Sequence, residues 1–99
     1  MRENLEMTTE AHEFIDEHGL WNPMKEILSE ILSVCDGNWL KIKAMLHEML
    51  SANGGHKEVV LSVRGDFECN NEAMDKELEV KSLMQDINQS DYFTVEVSV

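Results

Sequence analysis

The chain has 99 residues, 42% of them hydrophobic, and 20 acidic against 8 basic side chains give it a formal net charge of −12. That length fits one domain around one core and excludes two, while the apolar fraction excludes global disorder. So acidic a chain is repelled by phosphate-rich surfaces, which disfavours generic binding to nucleic acid or to an anionic membrane.

Thr8 or Thr9 is a good cap for a first helix over about residues 9–18, and His18-Gly19 is a typical C-terminal stop. Helical spacing puts Ala11, Phe14, Ile15 and His18 on one side and Glu10, Glu13, Asp16 and Glu17 on the other, an acidic ridge. His18 is expected to serve that helix end through the dipole. Asn22-Pro23 opens a second helix over about 23–36, with Met24, Ile27, Leu28, Ile31, Leu32, Val34 and Cys35 on its inner arc. Gly37 stops it. Asn38 then caps an expected third helix over about 39–52, with Trp39, Ile42, Met45, Leu46, Met49 and Leu50 inside and Leu40 left on the outer side. Helices two and three should form an αα-hairpin whose apolar faces meet.

Asn53-Gly54-Gly55 ends the helical pattern, and the apolar period changes to two. Val59, Leu61 and Val63 predict a strand over 57–64, and Arg64-Gly65-Asp66 reads as a turn or bulge after it. A helix over about 72–88, capped by Asn70 or Asn71, is expected from the stripe Ala73, Val80, Leu83, Met84, Ile87 and from the Glu77-to-Lys81 spacing. Read as a strand instead, it would turn residues 57–99 into a three-stranded meander. Phe93, Val95, Val97 and Val99 alternate as a final strand over 92–99. The predicted fold is therefore α+β in one domain over 1–99: three N-terminal helices, then strand, helix, strand.

No motif carries catalysis. There is no nucleophile set beside an oriented base, no phosphate loop opening a helix, and no His or Cys spacing that suits a metal, so neither an enzyme nor a bound cofactor is expected. Cys35 and Cys69 form no CxxC pair, Met1 to Met7 hold no signal-like apolar run, and no stretch approaches the ~18 apolar residues of a membrane span. A reduced, cytoplasmic chain is the expectation.

Charge along the chain is uneven. Residues 1–37 hold nine acids and two bases, 38–57 one acid and three bases, and 58–99 ten acids and three bases. The function this predicts is non-enzymatic binding of another protein, as a regulator or inhibitor that antagonises a basic or nucleic-acid-binding partner by charge mimicry. The contact residues would be Glu10, Glu13, Asp16 and Glu17 on the ridge, together with Leu40, Met74 and Leu78 as exposed apolar groups. A weak homodimer through an open strand edge is also expected. Two competing readings are a helix-turn-helix DNA-binding regulator using helix 39–52 with Lys41 and Lys43, and an accessory subunit of an enzyme.

Overall fold

The computed structural model describes residues 3–51 and 54–99. Among them the order is β1 (Glu3–Met7), α1 (Thr9–His18), α2 (Trp21–Val34), β2 (Leu40–Ser51), β3 (Gly54–Gly65), α3 (Asn70–Met84) and β4 (Phe93–Ser98), with a 3-10 turn at Ser90–Tyr92 before β4. The α+β class is as expected. The arrangement is not: only two helices precede the second strand, and a strand precedes them. Ala52 and Asn53, expected at a helix end and in the break after it, lie outside the described residues, as do Met1 and Arg2.

The expected helix over 39–52 is strand β2, which pairs antiparallel with β3 from Leu40↔Gly65 to Ser51↔Gly54. The αα-hairpin is thereby replaced by a long β-hairpin, and a helix-turn-helix built on this segment is overturned. Two periods coexist here. Trp39, Ile42, Met45 and Leu46 fit a helix, but Leu40, Ile42, Ala44 and Leu46 alternate strictly with Lys41, Lys43, Met45 and His47. Local propensity favours helix, and pairing with the Val-rich β3 overrides it. Gly54, the first residue of β3 and the register partner of Ser51, takes φ +115, a backbone conformation that suits glycine.

Strand β1, absent from the expected fold, runs parallel to β2 with Glu3↔Leu40 through Met7↔Ala44, and β4 runs parallel to β3 with Val59↔Phe93 through Arg64↔Ser98. The sheet order is β1-β2-β3-β4. Both parallel pairs need crossovers, and the helices supply them.

The helix ends follow local chemistry. Thr8 Oγ1 accepts from Ala11 N–H at 3.2 Å, while the Thr8 N–H donates to the Ala44 carbonyl at 3.1 Å, so one residue closes β1 and starts α1. Gly19 takes φ +63. With Gly19 N–H on the Asp16 carbonyl and Leu20 N–H on the Ile15 carbonyl, α1 ends in a Schellman turn. Helix α2 begins at Trp21, so Asn22 and Pro23 lie in its first turn rather than at its cap. Helix α3 starts at Asn70, capped neither by Asn70 nor by Asn71; Glu72 Oε2 instead reaches back to accept from Glu68 N–H at 3.0 Å. It ends at Met84, four residues before the expected end.

Cross-strand register sorts the strand side chains into two faces. Leu46, Val59 and Phe93 form one row; Ala44, Leu61 and Val95 the next; Ile42, Val63 and Val97 a third. These rows are buried apart from the half-buried Leu46, and they pack with Ile15, Met24, Ile27, Ile31, Cys35, Ala73, Val80 and Met84 of the helix layer. Leu32, expected inside, is 38% exposed. The opposite face carries Lys41, Lys43, Arg64, Glu96 and Ser98, all exposed, beside a buried Val60 that stands outside the helix-side core, and no helix among the described residues contributes to that core from this face.

Ile31 is fully buried, and Ile31→Ala should cost ~2–5 kcal/mol in denaturant unfolding, whereas Leu46→Ala should cost clearly less. A Cβ added at Gly65 would lie 2.6 Å from Phe67 Cε2, because the Phe67 ring folds over the glycine into the core. Gly65→Ala should therefore destabilise by ~1–3 kcal/mol through overpacking, and Phe67→Leu should relieve part of that loss in a double-mutant cycle.

Candidate functional site

Three surfaces are built by this fold. The first is the outer side of α1. Its inner residues Ala11, Phe14 and Ile15 are buried, which forces Glu10, Glu13, Asp16 and Glu17 outward, and all four are exposed as the helical spacing requires. Asp16 Oδ1 accepts from the Trp21 indole N–H at 3.3 Å. Glu10, Glu13 and Glu17 have no hydrogen-bond or ion-pair partner among the described residues. The ring nitrogen Nδ1 of His18 lies 3.0 Å from the Phe14 carbonyl, at the helix end assigned to it.

The second surface is the flank of α3 beside β4. Glu77 Oε2 lies 3.4 Å from Lys81 Nζ, and Glu77 Oε1 accepts from the Val97 N–H at 2.8 Å. A carboxylate thus occupies one donor on the outer edge of β4, and any second strand pairing there would have to displace it. Met74 and Leu78, one helical turn apart, are 57% and 59% exposed. Leu40, expected to join them on an exposed side, is 2% exposed and packs in the sheet core, because a strand turns it to the helix layer.

The third surface went unread in the sequence. At one end of the uncovered sheet face, Trp39, Lys41, Arg64, Gly65, Asp66 and Val99 line an open cleft of about 300 Å³. Lys41 and Arg64 are register partners on adjacent strands. Asp66 ties the cleft together: its Oδ1 accepts from the Trp39 N–H at 2.9 Å and the Asn38 side-chain amide at 3.1 Å, and its own N–H donates to the Trp39 carbonyl at 3.3 Å. The Asn38 amide and the Trp39 N–H hold the Asp66 carboxyl below its ordinary value. Asn38 is thus a strand staple, not a helix cap. The alternation of Trp39, Lys41 and Lys43 was the available signal.

Among the described residues no group of three His, Cys, Asp or Glu side chains is placed to hold a metal ion. Cys35 is a buried free thiol whose burial pushes its pKa up, and Cys69 is free and exposed. No helix in the described residues is long and apolar enough to cross a membrane. Comparison with protein-family models, curated proteins and solved structures finds no match to this chain.

A carboxylate whose folded pKa is lowered contributes stability above its unfolded pKa, and that contribution is lost as pH falls through the folded value. Asp66→Ala should therefore destabilise at neutral pH, with the difference from wild type shrinking on acidification below the ordinary Asp value of 3.8. Chemical unfolding of both proteins across the acid range checks this.

Proposed function

We propose that the chain is a non-enzymatic protein-binding regulator that docks its acidic helix layer on a basic surface of its partner, competing there with nucleic acid by charge mimicry. The observation that carries this reading is the sidedness of charge. Helices α1, α2 and α3 together hold ten acids against three lysines, whereas the uncovered sheet face holds Lys41, Lys43 and Arg64 against Glu6, Glu58 and Glu96. Folding needs no such segregation. Unpaired carboxylates at helical spacing on α1 repel one another, a cost that a cationic partner would reverse. Exposed Met74 and Leu78 add apolar area on the same layer.

Affinity capture from the native cell at low and high salt, with protein and nucleic acid both identified, tests the reading. A basic protein whose capture weakens with salt supports it, since exposed ion pairs are screened over a Debye length of ~8 Å. Recovery of nucleic acid alone defeats it. Against the captured protein, the combined variant Glu10→Gln, Glu13→Gln, Asp16→Asn, Glu17→Gln should stay folded and associate roughly tenfold or more slowly. Asparagine at 16 keeps an acceptor for the Trp21 indole. Unchanged association kinetics would remove α1 from the contact.

A further inference from the structure

We infer that the cleft between Trp39, Lys41 and Arg64 is a binding site for a nucleoside monophosphate, with the phosphate between the two cations and the base on the indole. The inference is independent of the helix layer and its partner.

The charge placement is the first argument. Lys41 and Arg64 are directly opposite on neighbouring strands, where side chains diverge little and like charges destabilise the pair. Lys41 pairs with one acid, Glu6 at 4.0 Å, while Arg64 forms no ion pair within 4.0 Å among the described residues, although Asp66 lines the same cleft. In a chain with 20 acids, an unpaired arginine facing a lysine is not what folding selects. A phosphate between them resolves the repulsion and gains charge-assisted hydrogen bonds from the guanidinium fork.

Presentation of the tryptophan is the second. Trp39 is clamped through its backbone by two hydrogen bonds to Asp66, yet the residue is 54% exposed. A held backbone with an uncovered indole is a ready platform for a flat ring. The cleft, at about 300 Å³, sits at the small end of ligand pockets, which span ~300–1,000 Å³.

Charge also sets the size of the ligand. Asp66 on the rim offers an acceptor to a ribose hydroxyl and repels further phosphates, which favours a monophosphate over a di- or triphosphate. A polynucleotide would extend beyond the two cations into the field of a chain of net charge −12, whereas a single nucleotide stays within their reach.

Calorimetric titration of the full chain with adenosine 5′-monophosphate, with amide chemical shifts to locate the site, tests the inference. Saturable binding that shifts residues 38–41 and 64–66 is expected, weakened roughly tenfold or more by Arg64→Gln or Lys41→Gln. Both side chains are exposed, and removing either relieves the like-charge pair, so loss of fold is not the expected cause; thermal unfolding of each variant verifies this. Trp39→Leu should bring affinity for the nucleotide down to that for ribose 5-phosphate, which the same substitution should leave unchanged. No shift at millimolar nucleotide, shifts elsewhere on the molecule, or equal affinity in Arg64→Gln would overturn the inference. A short adenylate oligonucleotide binding more tightly than the mononucleotide would overturn the assignment of ligand size.

Discussion

Everything in this molecule is referred to the pairing of β2 with β3. The two strands sit in the middle of the sheet, and their register decides which residues of each turn toward the helices: Ile42 opposite Val63 and Ala44 opposite Leu61. A slip of one residue would send Lys41 and Lys43 into the core and Leu40 and Ile42 to water. Once that register is set, β1 and β4 add outside it in parallel, each through a helical crossover. Buried residues from all three helices join one core with the inner sheet face, and the charged side chains of the other sheet face are left exposed.

Layering by helix and sheet separates charge as well as hydrophobicity. The helix layer is strongly acidic and the uncovered sheet face is balanced. The shortest dimension of the molecule is 24 Å, about three Debye lengths at physiological salt. Each face therefore presents its own local potential, and the net charge of −12 describes neither. A cationic partner on the helices and an anion at the Trp39 end of the sheet are compatible on one small chain for this reason.

Much of this was legible in the sequence. The caps and spacing of α1, the apolar arc of α2, the alternation in β3 and β4, the buried Cys35 and the outward ridge on α1 all follow from local rules, which hold where one pattern has no rival. Residues 40–51 had a rival. Their Leu, Met, Lys and Ala content suits a helix, and only pairing with the Val-rich strand that follows directly in the hairpin makes the period of two win. Misreading that segment moved Leu40 to the surface and hid the cleft, because Lys41 and Arg64 become neighbours only across a strand pair. Strand β1 was hidden for another cause: five residues with two apolar side chains carry too little periodicity to signal a strand, and its partner lies beyond two helices.

The two central strands are twelve residues each, yet β1 pairs only as far as Ala44 and β4 begins only at Val59. Beyond those rows, His47–Ser51 and Gly54–Glu58 form a ribbon that each strand holds by one edge alone. Amide hydrogens there can be released pair by pair from the Gly54 end, without separating any helix from the sheet. In the inner rows, exchange requires opening of the whole core. A single hairpin therefore contains both backbone that opens locally and backbone that opens only with the core, with the boundary at the row of Leu46, Val59 and Phe93.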